Sequence, residues 1–186
     1  VIPPFDADEN PDLESFDRLV RFMRKLGVDG VTILGVLGES NRLLDAEREA
    51  LIRTAIAAAG DLPVVVGTSH AGTRATCDLS RLAEQLGAAG VMVTPAREPV
   101  PNPDKIFEYF QRVAEAIAIP IVAQDHPAST QVHMALPLLI KLVREIPQIT
   151  CIKQEAVPTP PKTRALRAAL KKNRVTILTG LGALYG

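Results

Sequence analysis

The sequence predicts an α/β fold in which strands and helices alternate along the whole chain. Three observations carry that reading. Short apolar runs recur at an even pitch, they are apolar almost throughout, and amphipathic helices lie between them. The runs are GVTILGV from Gly30, LPVVVGT from Leu62, GVMVTP from Gly90, IPIVAQ from Ile119, ITCIK from Ile149 and RVTILTG from Arg174. Their starts lie 25 to 32 residues apart, the length of one strand–helix unit. Runs without polar alternation suit strands covered on both faces of a parallel sheet. Such a sheet is either closed as a barrel or wound open. No GxGxxG and no GxxxxGKS/T follows the first strong strand, which weighs against an open nucleotide-binding sheet.

The elements follow in order. VIPPF at the start reads as the tail of an earlier strand, which brings the count to about seven. Leu13, Phe16, Leu19, Val20, Met23 and Leu26 form one stripe at helical spacing. Asp45 is placed as the N-cap of a helix running to about Ala59 and closed by Gly60. Gly27 and Gly87 end two other helices in the same way. Leu79, Leu82, Ala83 and Leu86 make a further stripe, and Ile106, Phe110, Val113 and Ile117 another. Residues 95–103, PAREPVPNP, carry four prolines and form a stiff loop. A complete eight-stranded barrel takes about 250 residues. The 186 residues are therefore read as a single domain over 1–186, an incomplete (β/α)8 TIM barrel lacking its last strand and C-terminal helices.

Composition narrows the function. Acidic and basic residues balance at 21 each, so no net field draws nucleic acid or an anionic membrane. The longest apolar stretches are strand-sized, too short for a transmembrane helix. The first residues lack a basic n-region and an apolar h-region, so no signal peptide is read there. Cys77 and Cys151 fall in a helix and a strand as small buried thiols, which fits a reducing, cytoplasmic setting. Three histidines without CxxC or HExxH give no metal site. Lys171, Lys172 and Arg174 read as the solvated end of a helix.

In a parallel barrel the chemistry sits at the C-terminal ends of the strands. Those ends read GVLGES at 35–40, GTSHAGT at 67–73, TPAREP at 94–99, QDHPAST at 124–130, KQEA at 153–156 and TGLGA at 179–183. Lys153 stands out, because it interrupts the apolar Ile149, Cys151 and Ile152. A buried ammonium is costly unless paired or discharged. From the residues alone, Lys153 is either a nucleophile or a strand-end lysine paired with Glu155.

The order and spacing of these segments resemble the dihydrodipicolinate synthase / N-acetylneuraminate lyase family of Schiff-base aldolases and lyases. FDADENPDLESFDRLVRFMRKLGVDGVTILGVLGES resembles the family's opening, PVVVGTS, GVMVTP and IPIVAQDHP hold their expected places, and ITCIKQEA matches the strand with the active lysine. The resemblance implies that Lys153 forms an imine with pyruvate or another 2-oxo acid, with no metal or organic cofactor. A lysine attacks a carbonyl only as the free amine, which a low-polarity barrel mouth favours. It implies that the turn Gly35, Val36, Leu37, Gly38 binds the keto acid's carboxylate through backbone N–H groups. It further implies a homo-oligomer, a tetramer or dimer, with a small-molecule partner only.

The chain is a divergent member. Val36 and Leu37 replace the hydroxyl residues of the turn, and Gln124 stands where the family has a proton-shuttling tyrosine. Glutamine has no titratable proton. Tyr109 and Tyr185 lie in a helix and at the chain end, away from that place. Arg97 lies nearest the place of a second aromatic, and Ser129 near that of an arginine that holds the second substrate in the synthases. His126, two positions beyond Gln124, is expected to supply acid–base chemistry, with Asp125 taking a proton and Arg97 clamping an anion. His70 is a further candidate for the mouth, and His133 reads as a surface residue. The expected activities are a Schiff-base lyase or aldolase, the dehydration of a 2-keto-3-deoxy sugar acid, or a keto-acid-binding barrel without turnover.

Overall fold

The computed structural model describes residues 1–100, 102–173 and 175–180. Six strands, β1 (Val31–Ile33), β2 (Val64–Gly67), β3 (Gly90–Val93), β4 (Ile121–Asp125), β5 (Ile149–Gln154) and β6 (Thr176–Thr179), form one sheet in chain order. Every neighbouring pair is parallel. Between them run α1 (Leu13–Lys25), α2 (Asp45–Ala59), α3 (Thr73–Gln85), α4 (Pro103–Ala116), α5 (Pro127–Thr130), α6 (Leu136–Glu145) and α7 (Thr159–Ala169).

The two faces of the sheet differ as alternation requires. Ile33, Val64, Val66, Val91, Val93, Ala123 and Ile152 are buried together with Leu51, Ala83, Phe110 and Leu142 from the helices. Each fully buried Val, Ile or Leu contributes about 1.5–3 kcal/mol, so this face holds the fold together. The opposite face carries Thr32, Val65, Val122 and Lys153, all half-buried. Gly67 marks a close crossing of β2 by the chain leaving β1. A Cβ there would stand 2.1 Å from the Leu34 carbonyl oxygen, and Leu34 itself has left-handed backbone, φ 54°.

Two expectations change. VIPPF is not a seventh strand: Phe5 makes only an isolated bridge to Pro11. Pro3 and Pro4 have no N–H to give to a ladder, although the Val1 nitrogen donates to the Thr32 carbonyl at 2.6 Å along the free edge of β1. Asp45 does not cap α2. Leu44 holds the N-cap position, and its N–H donates to the Glu47 carboxylate at 2.7 Å, the backward half of a capping box. Asp45 instead opens the helix, where its charge suits the dipole.

Candidate active site

At the C-terminal end of the sheet, Lys153 and Gln124 are register partners on β5 and β4. Glu155 lies two residues past Lys153 and so returns to the same face. Its N–H donates to the Asp125 carbonyl at 2.9 Å, which prolongs the β4–β5 ladder by one step. The Glu155 carboxylate is 4 % exposed and reaches both neighbours. Oε1 stands 3.4 Å from the Lys153 Nζ, and Oε2 accepts from Gln124 Nε2 at 2.7 Å. The carboxylate also rests on the end of β6. A Cβ on Gly180 would fall 1.8 Å from Glu155 Oε1, so the absence of a side chain there makes room for the acid.

This arrangement keeps a buried carboxylate satisfied, as the cost of desolvating it demands. Gln124 supplies a neutral N–H donor, so it orients the acid without neutralising it. Lys153 keeps 26 % of its side chain exposed, enough for an incoming carbonyl. Cys151, two residues before Lys153, is buried, and burial pushes its thiol up to about 11, so it stays protonated in neutral solution.

The turn after β1 stands at the same end of the sheet. Val36–Gly38 form a single 3-10 turn in which the Gly38 N–H donates to the Gly35 carbonyl at 2.9 Å and the Glu39 N–H to Val36 at 3.2 Å. A turn of this kind leaves its first N–H groups, here those of Val36 and Leu37, without partners inside it. Gly35 packs against Met92 of β3, with 3.0 Å between a built Cβ and the Met92 methyl. The Val36 and Leu37 side chains are exposed. Glu39, in left-handed backbone, holds Arg42 at 2.9 Å.

The other expected site residues go elsewhere. Asp125 is fully buried on the helix side of the sheet, where Oδ2 accepts from Lys162 Nζ at 2.6 Å. One residue's difference in strand parity separates it from Gln124. His126 is 8 % exposed and precedes α5, with Nδ1 2.6 Å from Ser129 Oγ. The loop histidine and Ser129 thus engage each other. Arg97 is exposed and lines a cavity of about 710 Å³ shared with Tyr109, Arg112, His133 and Leu138, while Lys153, Glu155 and Gln124 are not among its walls. The His70 Nδ1 accepts from the Gly72 N–H at 3.0 Å. The Tyr109 hydroxyl pairs with Thr76 at 3.0 Å, and burial pushes it up to about 12. Tyr185, Arg174 and residues 181–183 lie outside the described residues. Among the described residues, no group of three or more His, Cys, Asp or Glu is placed to hold a metal ion.

Lys153 at the end of β5 and the GxxGE turn after β1 both stand at the C-terminal end of the sheet, and comparison with known proteins bears on them directly. The chain matches the profile of the dihydrodipicolinate synthetase family over residues 1–184. It belongs to that family. An L-2-keto-3-deoxyarabonate dehydratase from Azospirillum brasilense is 42 % identical over 172 residues, covering 89 % of this chain and 55 % of the dehydratase. The crystal structure of dihydrodipicolinate synthase from Rhodopseudomonas palustris superposes with a TM-score of 0.91 at 35 % identity, over 100 % of this chain and 63 % of the other. A prophage protein of the family from E. coli K12, solved in complex with pyruvate, gives 0.89 at 31 % identity, over 96 % and 62 %. The chain thus spans little more than half the length of these relatives, and its six strands form a curled part of the family's TIM barrel.

Within the dihydrodipicolinate synthetase family, the residue that sequence reasoning undervalued is Glu155. Beyond its expected pairing with Lys153, it links lysine, glutamine and the end of β6. The signal was present in KQE: an acid two positions after the lysine shares its face of the strand. Among the described residues no helix is long and apolar enough to cross a membrane.

Proposed function

We propose that this protein is a Schiff-base dehydratase of a 2-keto-3-deoxy sugar acid. The observation that carries the reading is the buried Glu155 carboxylate, held by Gln124 at 2.7 Å and standing 3.4 Å from the Lys153 nitrogen. Support also comes from the dehydratase that is 42 % identical.

The substrate's carboxylate lies on the Gly35–Gly38 turn, held by the Val36 and Leu37 N–H groups. The Lys153 amine adds to the C2 ketone, and loss of water gives an iminium that draws electrons from C3. Once N=C2 has formed, C3 is two bonds from the nitrogen. Glu155, 3.4 Å from that nitrogen, reaches the C3 hydrogen when the imine turns C3 to its side. Glu155 takes that proton to give the enamine. The protonated Glu155 then returns a proton to the C4 hydroxyl, which leaves as water while the enamine electrons form the C3=C4 bond. Hydrolysis releases the dehydrated keto acid and the amine, with one water lost overall. Aldol cleavage makes a different demand, a base at the C4 hydroxyl. In the synthases a tyrosine relays protons; here a carboxylate supported by glutamine serves.

In this reading the enzyme is cytoplasmic, homo-oligomeric as a tetramer or dimer, and free of metal and organic cofactors. The test is turnover of 2-keto-3-deoxy pentonates and hexonates, followed by mass spectrometry. Loss of 18 Da without release of pyruvate supports dehydration. Release of pyruvate and an aldehyde would instead establish the aldolase, and no reaction with any member would leave a keto-acid-binding barrel.

A further inference from the structure

Behind the site lies a second charged cluster that the proposed chemistry does not touch. Lys162 is the fourth residue of α7, a place where the helix dipole disfavours a cation. Its ammonium is turned inward and makes two 2.6 Å bonds, to Asp125 Oδ2 and to the Met134 carbonyl. Asp125 is fully buried, and its Oδ1 has no partner among the described residues. Lys162 is thus the cation that faces the Asp125 carboxylate, as Lys153 faces that of Glu155. Asp125 is in turn joined to the site twice through the backbone: it follows Gln124, and its carbonyl accepts the Glu155 N–H at 2.9 Å.

We propose that Lys162 is a positioning residue for the Lys153–Glu155–Gln124 site. It ties the start of α7 and the segment around Met134 to the end of β4, and so holds Gln124 in register with the acid. This rests on the site reading above. Removing the ammonium cuts the tie that holds the β4 end to α7 and to the Met134 segment, and in the single variant it also leaves the Asp125 charge buried and uncompensated. Gln124 then loses its aim at Glu155, and a displacement of about 1 Å at a reacting group costs up to about a hundredfold in rate.

The test compares Lys162→Met with the Asp125→Asn/Lys162→Met pair in the intact protein. The pair removes both charges, so it remains interpretable even if the single variant fails to fold. The expected result for the pair is a melting temperature near that of the parent and a kcat on 2-keto-3-deoxy acids lower by about tenfold or more. KM should stay within about threefold, because the carboxylate-binding turn is untouched. A crystal structure of the pair should show the Gln124 Nε2 to Glu155 Oε2 contact opened beyond hydrogen-bond distance. A pair with parental kcat overturns the proposal, and so does a reduced kcat with that contact intact. If the parent turns over none of these acids, the dehydratase reading fails, and the crystallographic contact alone decides the positioning role: opened supports it, preserved overturns it.

Discussion

Glu155 faces three different groups from one buried position: the Lys153 nitrogen, the Gln124 amide and the bare Cα of Gly180. Each contact carries a consequence. Glu155→Gln keeps the volume and removes the base. It should lower kcat by about 10²–10⁴-fold while borohydride still traps a 2-oxo acid on Lys153; a variant retaining full turnover would take the acid out of the chemistry. Gly180→Ala places a methyl group inside the present position of the carboxylate, so Glu155 must move. A kcat loss of about tenfold or more is expected, and an unchanged kcat with an unmoved Glu155 in the variant's structure would contradict the packing. The placement of Lys153, Gln124 and the Gly35–Gly38 turn at the strand ends was legible from the sequence, because each follows or closes an apolar run. Glu155 was half legible. Its tie to Gln124 spans 31 residues, and its seat on Gly180 depends on the β5–β6 register, which no local pattern encodes. Asp125 was misassigned to the mouth because loop and strand parity are hard to tell apart at a strand's last residue.

The strands and helices were read with more success than the side chains at their ends. Six apolar runs became six parallel strands in the expected order, because a strand buried on one face and half-covered on the other leaves little choice but Val, Ile and Leu. The α2 segment was bounded to within a residue, yet its cap is Leu44, one residue before Asp45, and the Glu47 carboxylate reaches back to the Leu44 N–H. VIPPF failed as a strand for want of N–H groups. The close crossing at Gly67 is the element-scale feature that sequence alone did not reveal, and it sets the path of the chain into the GxxGE turn. Gly67→Ala should destabilise the protein by about 2–4 kcal/mol through a clash with the Leu34 carbonyl, measured as a lower denaturation midpoint with unchanged m-value. A shift within about 0.5 kcal/mol would mean that the crossing can relax.

At the scale of the molecule, the sheet of the described residues is open, with β1 and β6 at its two edges. The TIM barrel could be inferred only from the pitch of the strands together with the family resemblance, since an open sheet shows the same alternation. Global stability provides a check on the outer layer that is independent of catalysis. Burial raises the Tyr109 phenol from an ordinary value near 10 to about 12 in the folded state. The folded protein therefore holds that proton more tightly than the unfolded chain. This stabilisation is complete below about pH 10 and is lost as pH rises toward 12, at most about 2–3 kcal/mol. The stability advantage of the parent over Tyr109→Phe should shrink between pH 9 and pH 12 in parallel denaturation curves; a constant difference would place the phenol in water. The central claim is that Lys153 is a carbonyl-capturing amine at the mouth of the sheet. Its most direct measurement is borohydride reduction in the presence of pyruvate or a 2-keto-3-deoxy acid, followed by peptide mass mapping. A reduced adduct on the peptide containing Lys153, absent from Lys153→Ala, is the predicted result, and the parent protein remaining unmodified across the panel would contradict it.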